Sequence, residues 1–516
     1  MSPFQGLRGN RLNYVALIGV VMPAMISLGY NQGLLGGVLT MDWFQEQFPQ
    51  IDVNDALPAE RHRKSTLQGT VVALYAAGGL LGALACIGIG DTIGRRRTIR
   101  ISTVIHMIGA FLGASSFNLA QLVASRVILG LGCGGQLATV PIWQSEISPA
   151  KKRGAHVGMT GVFIGLGLTL ALLMDLGMSF VDRSVSWRLP LALPIVLCIP
   201  ILMLTSRLPE SPRWLVQRGQ FAEAREVIAR FRHTSPDTEV VEKEIQDVLA
   251  SLAIAGEGSF AQVFQMGHQR VLHRASLAVG ALVLLQLTGI NCITFYSTTL
   301  FQTHLHLNPL TSRILGAGFQ LSGTVGGVVC AFTIDGFGRR FLMLLSAIAN
   351  TVCMILVAGL SSPPTNTASN AAVAFMFIFH FSVNVGFGGI PFLYASEVAP
   401  LSLRTTITGI SSAIWWGLSV LIALVTPIAF NAIEWKYFVI FAALNAGIIP
   451  VIYYIFPETA GLTLEDVDEV FITSSGVFDS VRVAKRMKQT SGKPQAQDDT
   501  ETEKGKGRAP MAHGSE

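Results

Sequence analysis

Twelve stretches of about 20 residues, each nearly free of charge, run through this chain of 516 residues. A helix needs about 20 apolar residues to cross the roughly 30 Å hydrocarbon layer of a bilayer. The stretches lie near 14–37, 69–90, 99–118, 122–145, 156–178 and 189–206, then near 275–300, 311–334, 341–361, 372–395, 406–430 and 437–456. Only 13 % of the residues are charged, about half the roughly 25 % of a soluble domain. A soluble chain this apolar would expose large sticky patches, and a disordered one needs the opposite composition. The runs are too long, and lack the alternation, for a transmembrane barrel. The expected fold is an all-α membrane protein.

The remaining charge is placed unevenly. Basic clusters at Arg95–Arg97, Lys151–Arg153, Arg339–Arg340 and around Arg404 each follow an even-numbered run, and the long segment after the sixth run is also basic. The positive-inside rule then puts these loops and both termini in the cytoplasm. Charges divided among loops do not make a nucleic-acid surface. The first run is too long for a cleaved signal and has no small-residue cleavage site. Residues 1–13 thus form a cytoplasmic N-terminus, 14–206 and 275–456 two six-helix bundles, and 207–274 a cytoplasmic loop of short amphipathic helices. Residues 457–516 form a cytoplasmic C-terminal segment, with a disordered tail expected from about 472. All six cysteines fall in the apolar runs and read as small packing residues. Gly130-Leu-Gly-Cys-Gly-Gly reads as small residues that let helices approach, not as a phosphate loop. No metal or cofactor motif and no paired nucleophile and base stand out, so neither an enzyme nor a cofactor is expected.

The chain also repeats itself at an offset of about 250 residues. Asp91-Thr-Ile-Gly-Arg-Arg is echoed by Asp335-Gly-Phe-Gly-Arg-Arg, Ser145-Glu-Ile-Ser-Pro by Ser396-Glu-Val-Ala-Pro, and Pro209-Glu-Ser by Pro457-Glu-Thr. Three motifs in one order imply two pseudo-symmetric halves, a plan that transporters use around a midplane cavity. Asp91, Arg95, Glu146 and Arg153 would cluster at the cytoplasmic helix ends of the first half, and Asp335, Arg339, Glu397 and Arg404 in the second. These charges either latch the cytoplasmic side shut or merely anchor the helix ends.

From Gly29-Tyr-Asn-Gln-Gly to Pro457-Glu-Thr-Ala-Gly-Leu-Thr-Leu-Glu-Asp the chain resembles the sugar porter family of the major facilitator superfamily, its fungal hexose and polyol transporters above all. Pro209-Glu-Ser-Pro-Arg-Trp-Leu, Gln286-Leu-Thr-Gly-Ile-Asn291 and the series Arg126, Gly130, Pro141, Glu146, Arg153-Gly154 carry the likeness. The resemblance implies twelve transmembrane helices in two bundles, a plasma-membrane location, a monomer in the lipid bilayer, and a small hydroxylated solute (hexose, pentose or polyol) moved by alternating access. It also implies solute contacts at Gln286 and Asn291, with Asn384, Phe392, Trp416 and Asn31 lining the pocket and Tyr296 at a gate. A helix-to-helix polar contact is the alternative role for Gln286 and Asn291, and for Asn384 and Trp416.

Departures from the family pattern bear on selectivity and coupling. The usual glutamine pair is Leu285-Gln286 here, Gly323 stands where the eighth span usually has asparagine, Phe392 replaces a tryptophan, and the fifth span has no glutamine. Proton-coupled relatives commonly pair a first-span aspartate with a fourth-span arginine; this chain keeps Arg126 but has Asn31, which cannot titrate. Asp175 falls near the outer end of the fifth span, and no other carboxylate is expected far from a helix end. His106 and His380 either titrate or serve as satisfied interhelical groups. Facilitated diffusion is the expected mode. The alternatives are a symporter using another titrating group and a sugar sensor that binds without transport.

Overall fold

The computed structural model describes residues 7–52, 58–148, 153–255, 260–304, 308–362, 366–400, 403–462 and 464–491, all helical or connecting segments. Among them, eleven helices are long and apolar enough to cross a membrane. In the first half these are Gly9–Val38, Arg63–Gly90 (within a helix Pro58–Ile93), Leu119–Ile147, Met159–Met178 (within Arg153–Met178) and Val185–Thr205. The second half has Val271–Thr298, Pro309–Phe337, Arg339–Leu360, Thr367–Val398, Thr406–Phe430 and Lys436–Ile455. The third span of the first half, Arg95–Ala114, completes twelve. It begins four residues before the expected run because Arg95, Arg96, Arg97 and Arg100 occupy its first turns, which lowers its hydropathy without stopping the helix.

What starts that helix is a carboxylate from elsewhere in the chain. Glu210 accepts the backbone N–H of Arg96 with both oxygens at 3.2 Å. Free N–H groups at a helix start need an acceptor and favour negative charge. Burial pushes the Glu210 carboxyl above its ordinary pKa, while the backbone N–H groups of Ser211 and Arg96 pull the other way. Glu458 repeats the arrangement on Arg339–Leu360, accepting from the backbone N–H of Arg339 at 2.9 Å and of Arg340 at 3.1 Å. The glycine before each helix has a positive φ, +90° at Gly94 and +92° at Gly338. The repeated Pro-Glu motifs are thus paired helix caps.

Two spans are broken where the sequence allows it. The seventh divides into Val271–Leu287 and Ile290–Thr299 around Gly289, which takes φ +87°. The Asn445 amide binds the freed Thr288 carbonyl at 3.0 Å. The tenth divides into Asn366–Gly386 and Ile390–Val398, with Gly388, Gly389 and Pro391 at the break. Within the first half, the second and fourth spans touch backbone to backbone: a Cβ on Gly130 would lie 2.0 Å from the Tyr75 carbonyl oxygen, and one on Gly134 would lie 2.1 Å from that of Gly79. Outward faces carry large apolar side chains such as Phe111 and Phe332, suited to acyl chains. This is an integral membrane protein.

Between the halves, Pro212–Gln217, Phe221–Arg232 and Glu239–Ala255 form short helices. Ala224, Val227, Ile228 and Phe231 are buried on one face. Arg225 and Arg232 pair with Glu242 and Glu244 at 2.7 and 2.8 Å. The C-terminal segment departs from expectation. Past residue 472 the chain folds again, as a helix Asp479–Ser491 with Ser480 and Ala484 buried. Valine and alanine at helical spacing supply an apolar stripe there that overall polarity conceals. Residues 492–516 of the expected tail lie outside the described residues.

Candidate solute site

A cavity lies between the two halves near the middle of the spans. The first, fourth and fifth spans wall it on one side; the seventh, eighth, tenth and eleventh wall it on the other. The lining side chains carry no charge, and several are polar.

The break in the seventh span decides what that span presents. Asn291, just past Gly289, reaches the wall, as does Thr294 one turn on. Gln286 does not: it is 1 % exposed and stands behind Asn291. The Gln286 side-chain amide donates to the Trp415 carbonyl at 2.9 Å and to the Ser419 hydroxyl, while its oxygen accepts from Asn291 Nδ2 at 2.8 Å. Asn291 Nδ2 also donates to Ser419 at 3.3 Å. Gln286 thus makes a helix-to-helix contact and brackets Asn291, leaving the Asn291 side-chain oxygen for the cavity.

The eleventh span shows a similar one-residue displacement. Trp415 lines the cavity, edge-on to Phe392 at 5.7 Å. Trp416, expected in the pocket, is fully buried and meets Tyr75 edge-on at 5.5 Å. Adjacent helical residues point about 100° apart, so only one of the pair can face the solute; the other packs the two halves together. Asn384 and Phe392 are on the wall. Tyr296 is off it, donating to the Ala423 carbonyl at 2.7 Å where the helix kinks.

Asn31 is also off the wall, and its neighbour Gln32 takes the place. Asn31 Nδ2 donates to the Ser27 carbonyl at 2.7 Å and to His106 Nε2 at 3.1 Å. On the far side of the ring, His106 Nδ1 lies 3.1 Å from Gln136 Oε1, and Gln136 Nε2 donates to Thr103 at 2.9 Å. Thr103 spends its own proton on the Ile99 carbonyl, so the Gln136 oxygen must face the ring. Hence Nδ1 carries the proton, Nε2 accepts, and His106 is neutral with both nitrogens used. Of the two roles open to His106, the geometry gives the interhelical one. Among the described residues, Arg126 meets neither Asn31 nor a carboxylate. Its guanidinium lies 4.8 Å from the Tyr75 ring centre, with Nε and Nη1 unbonded.

Asp175 in the fifth span is 2 % exposed, and neither carboxylate oxygen has a hydrogen-bond partner. It sits over the backbone of Gly37, where a Cβ would lie 2.2 Å from Oδ2. Nearby, Arg313 of the eighth span donates to the Thr40 carbonyl at 2.8 Å, linking the two halves. On the opposite end of the cavity the fifth and tenth spans close in, a Cβ on Gly161 lying 3.1 Å from Gly389 Cα.

The motif charges form pairs inside each half. Arg95 holds Glu146 through two contacts at 3.3 Å. Arg339 holds Glu397 and Asp335, each at 2.9 Å, and Thr459 donates to the second Glu397 oxygen at 2.7 Å. The side chains of Asp91 and Arg153 lie outside the described residues, and Arg404 is half-buried. The described pairs tie helix ends of one half to each other, Arg95 to Glu146 in the first and Arg339 to Glu397 and Asp335 in the second.

Gln320, Thr324 and His380 also line the cavity and were not expected to. Gln320 lies three residues before Gly323, one turn along the eighth span, and is polar in an apolar helix. That spacing was the signal available.

Two six-helix halves around a midplane cavity lined by apolar and uncharged polar side chains define a membrane solute carrier. The chain belongs to the family described as "Sugar (and other) transporter", whose model matches residues 15–471. It is 32 % identical to the MFS-type transporter oryC of Aspergillus oryzae over 480 residues, covering 91 % of this chain and 87 % of that protein. Identity to the sugar transporter STL1 of Saccharomyces cerevisiae is also 32 %, over 474 residues, covering 90 % of this chain and 82 % of that protein. In fold it is similar to the proton:xylose symporter XylE bound to 6-bromo-6-deoxy-D-glucose, with a TM-score of 0.76 and 18 % identity over 89 % of this chain and 99 % of that chain. Family and fold are those of transporters, not enzymes.

Proposed function

We propose that this protein carries a small uncharged hydroxylated solute, a monosaccharide or polyol, across the plasma membrane as a uniporter, with both termini in the cytoplasm. The observation that carries the reading is the chemistry of the cavity wall. Gln32 Nε2, Thr294 Oγ1 and Trp415 Nε1 are buried there without hydrogen-bond partners. An unpaired buried polar group costs about 1–3 kcal/mol, and a ligand rich in hydroxyls supplies both donors and acceptors. Trp415 and Phe392 add the aromatic faces on which C–H surfaces of a sugar rest. With no charged side chain on the wall, sugar phosphates and sugar acids have no counter-ion. The relative named as a sugar transporter points the same way.

Alternating access is supported by contacts that join the halves at the two ends of the cavity: Arg313 to Thr40 at one, Gly161 against Gly389 at the other. Uniport is supported by the neutral Asn31–His106–Gln136 cluster, whose proton positions are all fixed by partners. Asp175 favours a second reading, a proton-coupled carrier, since a buried carboxylate in a membrane is a candidate proton carrier. Asp175 is not on the cavity wall, which favours uniport.

The test is counterflow in liposomes holding the purified full-length protein, with labelled D-xylose, D-glucose, D-fructose, glycerol and D-sorbitol. Wild type is expected to exchange at least one of them, and a sensor would bind without flux. Asn291→Ala is expected to cut kcat/KM for that solute about tenfold, the worth of one hydrogen bond to the solute plus the loss of its Gln286 bracket. Flux of no probe above protein-free liposomes contradicts the reading.

A further inference from the structure

Between the eighth and tenth spans, Gly323 leaves room for a side chain from the facing helix. A Cβ on Gly323 would lie 2.2 Å from His380 Cε1 and 2.7 Å from Asn384 Nδ2. The His380 ring fills that space, stacked on Phe319 at 4.1 Å and 16°. Its Nδ1 lies 2.8 Å from the Phe319 carbonyl oxygen. A carbonyl only accepts, so Nδ1 carries the proton and Nε2 is an acceptor; Nε2 has no hydrogen bond of its own. Asn384 Nδ2 donates to the His380 carbonyl at 2.8 Å, which leaves its oxygen as an acceptor on the wall. Gln320, 1 % exposed and on the same wall, has neither its side-chain nitrogen nor its oxygen bonded.

We infer that Gln320 and His380 form a specificity-determining subsite that holds a vicinal diol of the solute, with Gly323 as the space that admits the histidine. The inference rests on the reading of the cavity as a solute site. His380 Nε2 and the Asn384 oxygen accept, and Gln320 offers one acceptor and one donor group. Acceptors outnumber donors, so the matching ligand end brings O–H donors. One hydroxyl donates to His380 while its neighbour pairs with the Gln320 amide. A carboxylate, ketone or ether end has no proton to give and leaves the acceptors unpaired.

The test combines substitutions with substrate analogues in the same liposome assay. Gln320→Met and His380→Phe keep bulk and, at 380, the ring stack, and remove only the polar groups. For the probe that wild type transports fastest, each monodeoxy analogue is compared with the parent. In wild type, removing one hydroxyl of the held pair is expected to cost about tenfold in kcat/KM. In Gln320→Met or His380→Phe that same removal is expected to cost less than twofold, because the partner is already gone, whereas other deoxy positions keep their wild-type penalty. Gly323→Ala is expected to lower flux, and Gly323→Ala combined with His380→Ala to recover part of it. Equal penalties for every analogue in wild type and variants overturn the subsite while leaving the transport reading intact. Failure of wild type to move any probe overturns both. Variants are compared only where size-exclusion profiles match wild type.

Discussion

A Gly130→Val chain is expected to yield no monodisperse folded protein, whereas Gly88→Val is expected to behave as wild type. At Gly130 the new Cβ would lie 2.0 Å from the Tyr75 carbonyl oxygen and 3.0 Å from the Gly79 nitrogen, both backbone atoms. The contact is reciprocal: Cβ atoms on Gly78 and Gly82 would lie 2.2 Å from the carbonyl oxygens of Val127 and Leu131. No side chain can swing aside, so the second and fourth spans must part. Overpacking usually costs about 1–3 kcal/mol, when neighbours can adjust; here rigid helices separate along several turns and lose dispersion contacts that lipid cannot replace. A Cβ on Gly88 meets nothing within 4 Å. Fluorescence-detected size exclusion of detergent extracts reads both outcomes. A folded Gly130→Val peak would show that the two helices do not touch this closely.

Glu397→Ala is expected to destabilise the protein by about 3 kcal/mol, toward the low end of the roughly 3–5 kcal/mol for breaking a buried pair. It leaves the Arg339 side chain, 6 % exposed, without its main counter-ion, and removes the acceptor of Thr459. Asp335 remains at 2.9 Å but is 60 % exposed and well solvated, so it compensates in part. Because Arg339, Glu397 and Thr459 belong to one half, the loss falls on thermal stability measured in detergent. Flux per folded molecule is expected to stay within about threefold of wild type, since no inter-half contact is broken. A large change in flux with an unchanged unfolding temperature would assign these charges the role of a gate latch.

Much of this structure was legible in the sequence because a membrane helix announces itself by length and composition. The twelve runs, the duplicated motifs and the break at Thr288-Gly289 all follow from local residue chemistry. The Pro-Glu repeats were visible as symmetry, yet their action as caps on helices more than a hundred residues away was not. Side-chain direction was less legible. Gln286 and Asn291 are both amides on the same span, but the left-handed Gly289 between them turns one toward the eleventh span and the other toward the cavity. Trp415 and Trp416 are identical in type, and only the packing against Tyr75 separates them. Gln320 and His380 were obscured for a different reason. Their meeting depends on the empty space at Gly323, a property of two helices together. The helix at Asp479–Ser491 was hidden by a polar composition that masks a narrow apolar stripe.

Coupling turns on Asn31 and His106, which form a neutral hydrogen-bonded cluster in which Asn31 has no proton to exchange. The most direct measurement is steady-state accumulation of a transported probe in proteoliposomes under an imposed pH gradient, acid outside. The account expects the internal concentration to level off at the external one with or without the gradient. Accumulation above the external level that grows with the gradient and is abolished by Asp175→Asn would contradict it and assign the proton to the buried carboxylate of the fifth span.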